Sequence, residues 1–407
     1  MTNRYLTAQL PGTGGLFKEA DEDFLVAEIP AYLPCGEGEH LYVEIEKRGI
    51  TTPEALRRLS RALEIPERDI GYAGMKDSRG VTRQSFSLPR IRPEAALGLE
   101  LPGIRILSAL RHKNKLKLGH LRGNRFKVRL RDVEEGGGEH ALAVLRVLEE
   151  RGVPNYFGSQ RYGGQGNSHL IGRALLQQEF KEVVDRLMGD PAAITDQRWQ
   201  EAVAAYRRGE YQESARLFPG FCRTERDVVQ RLVSRPDSFE QAFNAVNPRL
   251  KKLYLSALQS WLFDRLLDER LPAFDRVEEG DLAFRHDNGA CFLVTDAAAE
   301  ADRASRLEIS PTGPLFGCKM TLPAGEVLLR EERLLADEGL TLERFDLPGG
   351  LRMEGERRPF RIPLGEPELE KEGSDLLLSF SLPKGSYATT VLGEVMKTPA
   401  RSLPSPT

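Results

Sequence analysis

Several things are scarce in this sequence, and each shortage excludes a class of protein. Among 407 residues there are four cysteines, Cys35, Cys222, Cys291 and Cys318, and no two of them form a C-x-x-C pair. Neither a disulfide framework nor a cysteine zinc site follows from such scatter, and lone cysteines usually serve as small core residues. The six histidines lack metal-ligand spacing, so no metal is expected. No apolar run approaches the ~20 residues that cross a bilayer. The start Met1-Thr2-Asn3-Arg4-Tyr5 has no apolar signal region, so a cytoplasmic location is expected. A G-x-S-x-G nucleophile elbow is missing, and Gly163-Gly164-Gln165-Gly166 lacks the Gly-Lys-Ser/Thr ending of a phosphate loop. What is present is a hydrophobic content of 40%, enough to build a buried core. The length fits roughly two or three domains.

Charge is unevenly spread. The net charge of -3 alone argues against a nucleic-acid partner, yet Arg105 to Arg131 holds ten Lys or Arg and no Asp or Glu. Removing those ten charges leaves -13 on the rest of the chain. A basic stripe on an acidic body is the charge pattern of a local polyanion site.

The first 160 residues mix the two hydrophobic periods, which indicates an α+β fold. Phe24 to Ile29 and Leu41 to Glu46 alternate as strands. A helix follows, with Thr52 as its cap, Pro53 in its first turn, Leu56, Leu59 and Leu63 on its apolar face, and Pro66 as its stop. Ile70 to Tyr72 and Thr82 to Leu88 read as short strands around the loop Gly74-Met75-Lys76-Asp77-Ser78-Arg79-Gly80, and Lys115 to Leu118 and Arg125 to Arg131 as further strands. Leu142, Leu145 and Leu148 mark a helix that Gly152 stops. From about Phe180 to Leu271 the chain is helix-like, after which Asp281 to Phe284 and Cys291 to Val294 suggest strands. The first texture returns after Arg358, with a strand over Leu376 to Leu382 and a helix capped by Ser386. Leaving one texture and returning to it predicts an inserted domain over 181–356, flanked by 1–180 and 357–397. The proline-rich end, 398–407, is expected to be disordered.

Three segments can carry chemistry. In Arg125-Phe126-Lys127-Val128-Arg129-Leu130-Arg131 the alternation sends Phe126, Val128 and Leu130 to the core and the cations to the other face. Like charges on one strand face need anions, either RNA phosphates or carboxylates of a neighbouring strand. Asp77 lies between Lys76 and Arg79 in a glycine-flanked loop. A carboxylate among cations stays ionised and can act as nucleophile or base, although Lys-Asp-Ser-Arg-Gly also reads as an ordinary polar turn. Gly152 to Gly163 sets aromatics, amides and an Arg between glycines, which suits stacking on a nucleobase or simply covering a core.

Together these residues resemble the tRNA pseudouridine synthases of the TruD type. The resemblance runs in order through GLFKEADEDFLVAEIP from Gly15, GYAGMKDSRGVTRQ from Gly71, RHKNKLKLGHLRGNRF from Arg111, GVPNYFGSQRYG from Gly152, LYLSALQSWLFD from Leu253, ISPTGPLFG from Ile309, RRPF from Arg357 and LPKGSYATTVL from Leu382. Departures are Gly80 for the usual Ala, Tyr162 for Phe and Asp264 for Asn; Gly80 is expected to loosen its loop. The resemblance implies a pseudouridine-synthase catalytic domain, a mixed sheet in two α+β halves around a cleft, with a helix-rich inserted domain that grips RNA. It implies Asp77 as the catalytic aspartate, Lys18 as its basic partner, and Phe24, Asn155, Phe157 and Tyr387 around the target base. Arg125, Lys127 and Arg129 then hold phosphates. The implied reaction isomerises uridine 13 of the tRNA D arm without cofactor, metal or obligate protein partner. A structured-RNA-binding protein without chemistry and a hydrolytic N-glycosidase are the competing readings.

Overall fold

The computed structural model describes residues 5–76 and 78–397 and divides into two compact units. One contains the chain through Asn155 together with the segment from Arg361 onward, and the other is Tyr156–Phe360.

The first unit is built on one mixed sheet. Its strands, in chain order, are β1 (Leu16–Phe17), β2 (Phe24–Pro30), β3 (His40–Arg48), β4 (Gly71–Tyr72), β5 (Val81–Pro89), β6 (Ile104–His112) and β7 (Leu121–Arg131), followed by the short β8 (Val153–Pro154). The expected strand over Lys115 to Leu118 does not form. That segment is the turn between β6 and β7, and β6 itself carried no alternation strong enough to be read. Strand β2 pairs with β5 in parallel and with β7 antiparallel. A parallel pair needs a crossover, and β3 with the helix Thr52–Leu63 supplies it. Leu41, Val43 and Ile45 from β3 meet Ala55 and Leu59 of that helix and Phe86 and Leu88 of β5 in a continuous core.

The helix cap lies one residue earlier than its sequence signal. Thr51 accepts the Glu54 N–H at 3.2 Å, while the Thr52 hydroxyl is buried and donates to Gln84 Oε1 at 2.9 Å. Two adjacent threonines compete for the cap, and only packing decides between them. Ser386 likewise does not cap its helix, which starts at Ala388 after Tyr387.

The second unit is helical at first, from Ser168–Gln177 through Pro248–Arg270. A four-stranded sheet follows, made of β9 (Leu282–Arg285), β10 (Cys291–Leu293), β11 (Ile309–Leu315) and β12 (Glu356–Pro359) in the order β10-β9-β11-β12. Strand β11 sits between two neighbours despite Pro311 and Pro314, which argue against a strand when read in sequence. The unit is wider than the span 181–356 because Ser168–Gln177 packs on Pro248–Arg270. At Gly172 a Cβ would lie 2.2 Å from the Tyr254 carbonyl oxygen, so only glycine allows this approach. The chain then returns to the first unit through β13 (Arg361–Ile362), β14 (Gly365–Glu372) and β15 (Asp375–Pro383). Strand β13 pairs with β8, and β15 completes the large sheet against β7 in the order β14-β15-β7-β2-β5-β3-β6. Among the described residues no helix is long and apolar enough to cross a membrane.

Candidate catalytic loop and nucleic-acid face

Asp77 lies outside the described residues, but its neighbours do not. The Lys76 ammonium is 2.6 Å from Glu28 Oε1, and both side chains are only 6% exposed. The Lys76 N–H donates to Thr52 Oγ1 at 2.9 Å, which gives the displaced threonine its purpose. On the other side of position 77, the Gly80 N–H donates to Asp21 Oδ1 at 3.0 Å. Gly80 has φ +129°, and a Cβ there would lie 2.6 Å from the Phe24 carbonyl oxygen. Besides the looseness expected of it, glycine is what lets the chain pass this close to β2 at position 80. The buried Glu28 had a readable signal, since it shares the strand face of Phe24 and Val26, where an acid needs a partner.

Phe24 is buried in an aromatic series, 5.5 Å from Phe17 edge to face and 6.1 Å from Phe126, which stacks on Phe380 at 5.4 Å. Lys18, half-buried and at φ +61°, sets its ammonium 4.0 Å from the Phe24 ring centroid. Lys18 and Phe24 are thus brought together by a cation–π contact. Asp23, next to Phe24, is buried as well. Burial raises its pKa, but hydrogen bonds from Arg131 and from the Ala20 N–H outweigh this and hold it below the usual aspartate range.

Asn155 and Phe157 fall on either side of the unit division. Asn155 is buried just after β8, and Tyr387 is half-buried at the start of the helix Ala388–Met396. Phe157 is buried in the second unit, edge to face with Phe263 at 5.8 Å and under the Arg358 guanidinium at 4.2 Å. Its N–H donates to Asp264 Oδ1 at 3.1 Å, and the Tyr162 hydroxyl donates to Asp264 Oδ2 at 2.5 Å. Burial pushes the Asp264 pKa up to about 7, against the pull of those two hydrogen bonds and of Arg358. Tyr162 and Asp264 were read as separate departures from the family pattern, and they are bonded partners. Arg358 was missed because nothing near it in sequence shows that it covers an aromatic ring.

The cationic face of β7 is largely paired within the protein. Arg125 bonds Glu366, and Arg129 bonds Glu372 at 2.7 Å and Asp375 at 3.2 Å. Arg131 grips Asp23 with two nitrogens. Lys127 is exposed and has no ion-pair partner among the described residues. Of the two anion sources open in sequence, neighbouring-strand carboxylates therefore serve Arg125 and Arg129. No group of three or more His, Cys, Asp or Glu suited to a metal occurs among the described residues.

The fold is a mixed α+β sheet with a lysine-aromatic cluster on β2, next to the segment that follows Lys76. The model of the family tRNA pseudouridine synthase D (TruD) matches residues 1–395. The chain is 67% identical over 394 residues to the tRNA pseudouridine synthase D of Geobacter metallireducens, covering 97% of this chain and 98% of that protein. The Thermus thermophilus protein of the same name is 41% identical over 399 residues, covering 97% and 92%. Among solved structures, a Methanosarcina mazei protein assigned to TruD superposes with a TM-score of 0.86 at 28% identity, covering 99% of this chain and 98% of that one. The chain belongs to the tRNA pseudouridine synthase D (TruD) family, and is by that membership an isomerase.

Proposed function

We propose that this protein converts uridine 13 in the D arm of tRNA to pseudouridine, in the cytoplasm, with Asp77 as the reacting carboxylate. The observation that supports this most is the convergence on β2: the Lys18 ammonium, the Phe24 ring and the Gly80 backbone form one cluster, and position 77 is three residues from Gly80.

The reaction breaks the bond from ribose C1′ to uracil N1, turns the base and joins C1′ to C5; the proton from C5 ends on N1, so nothing is oxidised or hydrolysed. It needs an ionised carboxylate at the sugar and base, a means of holding the detached base, and exclusion of water. Asp77 supplies the carboxylate, whether it attacks C1′, attacks C6 or takes the C2′ proton. Lys18 keeps it ionised by proximity of charge. Phe24, Phe157 and Tyr387 are the stacking groups and Asn155 reads the imide edge. Flipping the uridine out of a folded arm costs a few kcal/mol, which stacking offsets. No step requires a cofactor, a metal or a protein partner.

The test is Asp77→Asn. The variant is expected to bind tRNA as the wild type does and to lose roughly 10⁴-fold or more in pseudouridine formation. Turnover comparable with the wild type would refute the role of Asp77 and favour RNA binding without chemistry. Recovery of free uracil and an abasic site would favour the N-glycosidase.

A further inference from the structure

Strand β2 leads away from Phe24, and its far end lies about 20 Å along the extended chain. There the segment after Pro30 and the turn between β6 and β7 border an open, solvent-facing pocket of about 580 Å³, lined by Tyr32, His112, Asn114, Lys115, Lys117 and His120. That volume suits one nucleotide.

The pocket is braced by its own aromatics. Tyr32 stacks on His112 with centroids 5.1 Å apart and meets His120 edge to face at 5.7 Å. The Tyr32 hydroxyl is 2.7 Å from His120 Nδ1, and buried Tyr42 donates to the Asn114 carbonyl at 3.0 Å. The Cys35 N–H points at His112 Nδ1 at 3.3 Å, which makes that nitrogen an acceptor and leaves Nε2 as the ring's N–H donor. Between the two lysines Leu116 is buried, and its N–H donates to Ser87 Oγ at 2.9 Å, so the turn is pinned to the sheet.

The pocket's charge is all of one sign. No carboxylate lines it. Lys115 donates to the Arg68 carbonyl at 2.7 Å, and Lys117 has no ion-pair partner among the described residues. The basic face of β7, by contrast, spends its three arginines, Arg125, Arg129 and Arg131, on carboxylates. Cations gathered in a concave site without counter-ions concentrate field on whatever anion enters.

We infer that this pocket is an anchor for the RNA backbone, binding one phosphodiester on Lys115, Lys117 and His120 with its nucleoside against Tyr32, several nucleotides from the reacting uridine. The inference rests on the proposed tRNA reading for the identity of the RNA.

The test compares Lys117→Gln/His120→Gln with a charge control, Lys371→Gln, which is exposed on β14. Equilibrium binding of tRNA is measured across a salt series. The double variant is expected to bind about tenfold more weakly and to lower the slope of log K against log salt by about 0.7–0.9, the value of one lost phosphate contact. The control is expected to keep both. Wild-type affinity and slope in the double variant would overturn the anchor, as would weaker binding with an unchanged slope. A titration of the wild type with inorganic phosphate, followed by the imidazole C–H signals of His112 and His120, guards against a misfolded variant. Saturable shifts support the site, and their absence overturns it. Pseudouridine formation by the wild type is assayed on the same preparation. If it forms none while the variant loses affinity and slope as expected, the anchor stands and the isomerase reading falls. If it forms pseudouridine and the variant binds like the wild type, the reverse holds.

Discussion

The sheet unit and the helical unit each bury an aspartate, and the two titrate in opposite directions. Asp23 is 1% exposed and Asp264 is 4% exposed. Asp23 receives a two-nitrogen grip from Arg131 and is held below the usual aspartate range in spite of its burial. Asp264 receives, among the described residues, a phenol and a backbone N–H directly, and burial carries it up to about 7. Both expose little surface, but Asp264 lies much deeper, and there desolvation outweighs what its donors return, as it does even for Asp281 beside Arg270. Beside position 77 the sheet unit uses the same device again, seating the Glu28 carboxylate on Lys76. On either side of position 77, then, one acid, Glu28, is seated on a cation, and another, Asp21, accepts the Gly80 N–H. The helical unit seats Asp281 on Arg270 and Glu331 on Arg357 in the same way, but holds Asp264 against the Phe157 N–H, where burial carries it up to about 7.

The largest way to break this contrast is Lys76→Met, which removes the cation that, among the described residues, pairs with Glu28. An unpartnered buried carboxylate should cost about 3–5 kcal/mol at neutral pH, read by urea unfolding. A cost under about 1 kcal/mol would mean that water reaches Glu28 freely, as at surface pairs.

Asp264→Asn sharpens the contrast with a smaller change. A native pKa near 7, above the ordinary aspartate value, means that the folded state keeps a proton the unfolded chain releases. Stability from Asp264 is therefore present below about pH 4 and falls as pH rises to about 7, where it levels off. The Asn variant carries no charge to desolvate, so it should be about 2–4 kcal/mol more stable than the wild type at about pH 8 and nearly equal to it at low pH. Parallel pH profiles of the two proteins would show that Asp264 does not titrate in this window.

The smallest effect is expected where the cations are already paired. Replacing Arg125, Lys127 and Arg129 together by Gln leaves Glu366, Glu372 and Asp375 unpaired at the surface and removes Lys127, the one member without an ion-pair partner among the described residues. The salt slope of tRNA binding should fall by less than about one unit. A fall of two or more would mean that RNA displaces the carboxylates and takes the whole face.

Much of this was legible in the sequence, for physical reasons that are local. Alternation in Phe24 to Ile29 and in Arg125 to Arg131 fixes which side chains face the core, because a strand has a period of two whatever it pairs with. The stop at Gly152 follows from backbone freedom at a single residue. The ordered motifs from Gly15 to Leu392 were enough to name the family that the comparisons then gave. Other features were hidden. Tyr162 and Asp264 lie 102 positions apart, and their hydrogen bond exists only after the helices pack. Strand β11 defies its prolines because neighbours on both sides hold it.

By itself, then, the sequence determined the strand faces, the helix stops, the clustered positive charge and the Lys-Asp loop, since each depends on residues within a turn or a strand of one another. Only the tertiary structure decided that β2 and β5 run in parallel, that Thr52 secures Lys76 instead of capping its helix, that Arg125 and Arg129 spend their charge on Glu366, Glu372 and Asp375, and that Tyr32 meets His112 and His120 around a pocket. Charge partners and concave sites are made by chain segments far apart in sequence. Which segments meet is set by the burial of Leu41, Val43, Ile45 and Phe86, and nothing in the polar residues announces it.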